Sequence, residues 1–371
     1  MAAPKLRFKE FDGGWSAQKY KDALTIKYGK DHKLLEDGEI PVYGTGGVMR
    51  YVNQYLYDGE SILIGRKGTI DQPKYVNEKF WTVDTLFYSE IKQNIYPLFI
   101  YQHALQVNWL GLNEATGVPS LNTTSINNVD IYLPSKEEQT KIASFLSAVD
   151  EKISQLTQKH ELLSQYKQGM MQKLFSQQIR FKADDGSEFG EWEEKKLGEI
   201  SKTFSGGTPQ SSNKSFYEGS IPFIKSGEIS QDITEQHINE IALQKSSAKL
   251  VNKGDLLYAL YGATSGQVAI SQIDGAINQA VLCIRSTLNT QYLLNFFLLK
   301  KEEILSTYLQ GGQGNLSAAI LKEIYIPIPC IEEQTKIANF LSAIDQKIEV
   351  VAQQIEQAKT WKKGLLQQMF V

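Results

Sequence analysis

Apolar residues recur at alternating steps of four and three along two long stretches of the chain. In the first, the seam runs through Ile142, Leu146, Val149, Ile153, Leu156, His160, Leu163, Lys167, Met170 and Leu174. In the second it runs through Ile337, Leu341, Ile344, Ile348, Val351, Ile355, Ala358, Lys362, Leu365 and Met369. This is the a/d spacing of a heptad repeat, and it predicts two helices of about 40 residues, roughly 60 Å each. Pro134 blocks helix upstream of the first, and Ser135 with Glu138 predicts a capping box; Cys330 replaces the serine at the second start, a weaker cap. Two seams in one chain pack most simply on each other, antiparallel; the alternative is that each packs on its own neighbouring domain. A lysine interrupts both seams at the same place, Lys167 and Lys362, either to snorkel into water or to fix register.

Elsewhere the pattern changes. "ESILIG" (60–65), "FWTVDTLFYSE" (80–90) and "AVLCIRS" (280–286) predict strands, and "TQYLLNFFLLKKEEILSTYL" (290–309) a helix. The segments flanking the seams are therefore mixed α/β.

The helical phrase is itself a repeat. "EEQTKIASFLSAVDEKI" (137–153) returns 195 residues later as "EEQTKIANFLSAIDQKI" (332–348), with fourteen of seventeen positions identical. At the same offset Gly59 aligns with Gly254, Leu121 with Leu316, Pro134 with Pro329, and "YKQGMMQKLF" (166–175) with "WKKGLLQQMF" (361–370). The openings also correspond, "LRFKEFDGGW" (6–15) with "IRFKADDGSEFGEW" (179–192), which marks Arg7 and Arg180 as frame. The second copy carries about 18 extra residues between Trp192 and Gly254. The chain thus divides into a first globular domain (1–136), a central helix (137–178), a second globular domain (179–331) and a C-terminal helix (332–371). The expected fold is α+β/mixed: two α/β domains separated by two long helices in an antiparallel coiled coil, with pseudo-twofold symmetry. Near-identical helices beside divergent heads suit a protein that recognises a two-part target.

Composition narrows the function. At 371 residues, 42% hydrophobic and 22% charged, the chain has material for two cores and no bulk disorder. No signal peptide or membrane-length apolar run is visible, and Cys283 and Cys330 are isolated, so a cytoplasmic protein is expected. The net charge of −3 argues against a free-standing nucleic-acid binder. If DNA is bound, much of the phosphate neutralisation must come from other subunits. The four histidines lack metal-ligand spacing, and no phosphate loop, dinucleotide fingerprint, Asn-Pro-Pro or Pro-Asp motif occurs. No catalytic, cofactor-binding or metal-binding residue is assigned.

What remains is a set of glycine-rich loops whose side chains are of the kinds that grip phosphates or base edges. They are "GTGG" (44–47) with Thr45, followed by Arg50; "GRKGT" (65–69) with Arg66, Lys67 and Thr69; Lys225 and Ser226; "YGATSGQ" (261–267) with Tyr261, Thr264, Ser265 and Gln267; and "GGQGN" (311–315) with Gln313 and Asn315. "SGGTP" (205–209) is of the same kind. Each of these also reads as an ordinary turn. Of the five arginines, Arg66 alone sits in a glycine-rich loop of one head, which makes it the first candidate for a base contact.

Two divergent domains, each followed by P-x-x-EEQ-x-KIA-x-FLSA-[VI]-D-x-KI, resemble the specificity subunit of type I restriction-modification systems. Supporting marks are "GEWEEKKLGEI" (190–200), "SGGTPQSS" (205–212), "GDLLYAL" (254–260) and "INQAVLCIR" (277–285). The resemblance covers the whole chain; the duplicated helix motif is specific, the loop motifs weak. It implies a non-catalytic subunit whose two target-recognition domains each read half of a bipartite site in double-stranded DNA. Because the heads differ, the two halves should differ. The helices would set the spacer and dock two methyltransferase subunits carrying S-adenosylmethionine, while restriction/translocase subunits would bring ATP and Mg. A coiled-coil scaffold without DNA specificity, or an enzyme with unrecognised motifs, are the competing readings; sequence-dependent DNA binding separates the first.

Overall fold

A computed structural model describes residues 3–308 and 316–371. The chain forms two compact units, residues 1–158 with 352–371, and residues 159–351.

In the first unit, β1 (Ser16–Lys19) pairs antiparallel with β8 (Asp130–Leu133), forming a ribbon beside the entry to the first long helix. Between them lie β2 (Leu24–Tyr28), β3 (Asp37–Gly44), β4 (Gly47–Val52), β5 (Tyr57–Gly65), β6 (Lys74–Thr82) and β7 (Leu86–Ile91), in a sheet of order β2-β7-β5-β6-β3-β4. The "FWTVDTLFYSE" run is therefore two strands, broken at Val83–Asp84–Thr85. β6 pairs antiparallel with β5 over Tyr57↔Phe80 to Leu63↔Lys74, and its last two residues pair parallel with β3, Val42↔Trp81 and Tyr43↔Thr82. The core joins Ile62, Ile64, Tyr20, Trp109 and Phe99 to both long helices, through Ile142, Leu146 and Val149 and through Leu365 and Met369, with Phe370 just beyond the second helix.

The second unit repeats the ribbon, with β9 (Glu193–Lys196) on β18 (Tyr325–Ile328). Its other strands are β10 (Ser201–Ser205), β11 (Ile221–Ile224), β12 (His237–Ile238), β13 (Lys249–Val251), β14 (Leu256–Ala259), β15 (Val268–Ile270), β16 (Gly275–Ile277) and β17 (Val281–Ser286). They form two sheets, β10-β17-β14-β15 and β12-β11-β16-β13. The two roles of β6 are here divided: β15 pairs antiparallel with β14, and β16 parallel with β11. The predicted helix spans Thr290–Tyr308.

The long helices are Lys136–Phe175 and Ile331–Met369. Each unit holds the first half of one and the second half of the other. Every predicted seam position is buried or half-buried. The seam lysines do not simply snorkel. Lys362 Nζ meets Asp150 at 2.6 Å inside the first unit, and Lys167 Nζ meets Asp345 at 2.6 Å inside the second. These aspartates are the D of the repeated "FLSA[VI]D" phrase, so each half-seam is fixed in register by an ion pair between antiparallel segments.

The rest of that phrase is also explained. Arg7 grips both oxygens of the buried Glu138, each at 2.7 Å, and Arg180 grips Glu333 at 3.1 and 2.6 Å. Gln139 accepts from Tyr96 N–H and donates to Pro134 O; Gln334 accepts from Asn289 N–H and donates to Pro329 O. The expected capping box is half present. Ser135 Oγ accepts from Glu138 N–H at 3.3 Å, but the Glu138 carboxylate turns to Arg7, a charge-assisted pair that outcompetes a neutral backbone donor.

Candidate nucleic-acid interface

Parallel pairing in each unit brings loops together at one strand end. In the second unit Ile224 pairs with Ile277 and Ile277 with Lys249, so the segments after β11 and β16 and before β13 converge. Gly206 and Gly207 cross this edge. A Cβ on Gly206 would lie 1.7 Å from Ile277 O, and one on Gly207 2.6 Å from Ser247 Cβ, so only glycine fits. The crossing delivers Thr208, whose hydroxyl donates to Gln279 Oε1 at 2.6 Å. Leu260 N–H donates to Ala280 O at 2.8 Å, which adds the 261–267 hairpin to the same edge.

The first unit builds the same arrangement from different residues. Tyr43 pairs with Thr82, Arg66 N–H donates to Thr85 O at 2.8 Å, and a Cβ on Gly29 would meet Val83 O at 2.0 Å. Thr45, Asp84 and the 31–33 turn line a groove of about 700 Å³ there. The Lys33 backbone N–H closes that turn on Asp31 and holds its carboxyl below the usual carboxylate range.

Arg66 and Thr45 are thus placed at one edge, with Lys67 and Thr69 in the adjoining loop. Thr45 Oγ1 lies 4.0 Å from where a Gly68 Cβ would stand. Arg66 lies over Tyr28 at 5.4 Å and gives Nη1–H to Asp84 O at 3.0 Å, one of its five donors. Lys67 bridges Ser120 through its backbone. Arg50 stands two pairs in from the β3–β4 turn and is tied to Asp37 at 2.5 Å.

In the second unit, Lys225 and Ser226 follow β11 at the edge. The buried Glu228 carboxylate shapes their turn by accepting from Lys225 N–H and Glu235 N–H. Within the hairpin, Ser265 Oγ closes on Leu260 O and Gln267 N–H on Thr264 O, while Tyr261 packs against the hydrophobic core and burial raises its pKa. Gln313 and Asn315 lie outside the described residues.

Three edge residues escaped the sequence reading: Thr208, Gln279 and Asp84. The first two sat inside "SGGTP" and "INQAVLCIR", and the glycine pair was their one visible signal. Seam residues are shared between the facing helix segments and the globular cores. Ile142, Leu146 and Val149 pack with Tyr20 and Phe99 as well as with Leu365 and Met369, and Ile337, Leu341 and Ile344 with Tyr292 as well as with Met171 and Leu174. The helices leave Leu162, Tyr166, Val350 and Trp361 exposed. Among the described residues no cluster of His, Cys, Asp or Glu could hold a metal, and no helix is long and apolar enough to cross a membrane.

The family model of the type I restriction modification DNA specificity domain matches residues 14–165 and 190–360. The chain is 28% identical over 338 residues to the type I restriction enzyme MjaVIII specificity subunit of Methanocaldococcus jannaschii, covering 84% of this chain and 76% of that one. It is 30% identical over 285 residues to the MjaX specificity subunit of the same organism, covering 73% of this chain and 66% of that protein, just under two thirds of its length. Its fold is similar to that of the crystal structure of the type I restriction-modification system S subunit from M. genitalium, with TM-score 0.66, 16% identity, and coverage of 100% and 99% of the two chains.

Proposed function

The chain belongs to the type I restriction-modification DNA specificity family, and from that membership we propose that it is the non-catalytic, sequence-reading subunit of such a complex. Each unit reads one half of a bipartite site in double-stranded DNA through its convergent loop edge. The observation that carries this reading is that one strand-end scaffold is built twice and dressed differently: Arg66, Thr45 and Asp84 on one, Thr208, Gln279 and Lys225 on the other. A shared frame with unlike readers gives an asymmetric target. The continuous helices separate the half-sites, and their exposed Leu162, Tyr166, Val350 and Trp361 offer surface to two methyltransferase subunits. Those subunits bring S-adenosylmethionine and basic surface that this chain, at net charge −3, does not supply; ATP and Mg belong to restriction subunits.

Long-read, methylation-sensitive sequencing of host DNA with the gene intact and deleted tests the proposal. Loss of adenine methylation at one asymmetric, gapped motif is the expected result. A palindromic motif would refute the unlike-reader reading, and an unchanged methylome in a host that methylates adenine would refute the assignment of function.

A further inference from the structure

Asp84 and Gln279 occupy the same place in the two scaffolds. Each lies two residues beyond the last parallel-paired residue, Thr82 in β6 and Ile277 in β16. Each immediately precedes a carbonyl that accepts from the strand opposite, Thr85 O from Arg66 N–H and Ala280 O from Leu260 N–H, both at 2.8 Å. Both side chains are exposed.

Their chemistry differs in a way that bases distinguish. Thr208 donates to Gln279 Oε1 at 2.6 Å, which anchors that oxygen and, among the described residues, leaves its second lone pair and the Nε2 hydrogens available. An acceptor beside a donor in one planar amide matches the N6–H and N7 edge of adenine in the major groove. Asp84 presents acceptors only, and its backbone carbonyl is pinned by Arg66 Nη1–H at 3.0 Å. A carboxylate accepts from cytosine N4–H and is repelled by the guanine edge.

Resting on the half-site reading above, we propose that Asp84 and Gln279 are equivalent specificity positions, Gln279 reading an adenine in one half-site and Asp84 a cytosine in the other. Thr208 is a positioning residue for Gln279.

The test is selection of bound duplexes from a randomised DNA library by the full-length chain co-purified with its methyltransferase subunits. Wild type should select a gapped motif. Gln279→Glu should turn one adenine of one half into cytosine, and Asp84→Asn should turn one cytosine of the other half into adenine, with all remaining positions unchanged. Gln279→Ala should flatten that single position, a loss of about 5- to 150-fold in discrimination. Thr208→Val should broaden the same position, and Thr208→Ser should restore it. Both isosteric variants are at exposed positions, and unchanged thermal unfolding would confirm their folding. A wild-type motif left intact by Gln279→Glu, or weakened equally for every sequence, overturns the assignment while sparing the half-site reading. A wild-type complex that selects no sequence overturns both.

Discussion

Removing Arg7 should damage the molecule more than removing Arg180, although the two are the same residue of a repeated motif. The Glu138 side chain is 2% exposed and that of Glu333 is 0% exposed. Taking the guanidinium from such a carboxylate leaves a buried charge, which costs about 3–5 kcal/mol. In the second unit Trp192 Nε1–H also donates to Glu333, at 2.8 Å, and remains after Arg180 is lost. A hydrogen bond to a charged group is worth about 1.5–3 kcal/mol. In the first unit Trp15 Nε1 has no partner among the described residues, so Glu138 keeps nothing comparable. Arg7→Ala should therefore cost about 3–5 kcal/mol and Arg180→Ala about 1–3 kcal/mol. Urea unfolding followed by circular dichroism reads both as shifts in midpoint at constant slope. The double variant Arg7→Met with Glu138→Leu should return to within about 1 kcal/mol of wild type, since packed apolar residues replace a buried pair at little cost. Equal losses for the two arginines, or a double variant as unstable as Arg7→Ala, would refute the reasoning.

Lys167→Asp should destabilise by about 2 kcal/mol by facing Asp345 with a like charge, and adding Asp345→Lys should recover most of that loss; failure of the swap to recover would show that the pair does not set register. His103, hydrogen-bonded to Tyr20 at 2.8 Å, is held by burial at about 4, well below 6.5. The unfolded chain then binds the extra proton, so this contribution is full above about pH 6.5 and is lost as pH falls toward 4, to about 3 kcal/mol; His103→Gln should flatten the dependence of the urea midpoint on pH. Arg66→Ala should relax one half-site in duplex selection while the other half keeps its preference; a uniform affinity loss would make Arg66 a phosphate contact instead.

The helical frame was legible because it is local. A 4-3 seam is written in consecutive residues, and repetition at 195 positions separates frame from reader without any structure. Arg7 and Arg180 could be marked as frame for the same reason. Their partners could not be named, because Glu138 and Glu333 lie 131 and 153 residues away and look like ordinary first-turn acids. Seam pairing hid similarly: Lys167 and Asp345 are 178 apart. The candidate edge was legible only where glycine betrayed it. Thr208 and Gln279 meet across 71 residues through a parallel pairing that no periodicity announces. The short strands β15 and β16 stand at the same 195-residue offset as the single β6 and do its work, and no periodicity announces where one strand becomes two.

One backbone contact carries a consequence for how such a chain can be cut and rejoined. Leu6 N–H donates to Gln368 O at 2.8 Å, and at the equivalent place in the repeat Ile179 N–H donates to Lys173 O at 3.3 Å. The second lies across the covalent passage from one copy to the next, and the first is the same contact made between segments far apart in sequence. In connectivity the two repeats follow one another in a cyclic order, the second longer by about 18 residues between Trp192 and Gly254. A permutant opened after Gln177 and closed from Phe370 to Pro4 through a short linker would only exchange which junction is bonded, so the fold constrains the gene to a cyclic order rather than to a first and a last domain.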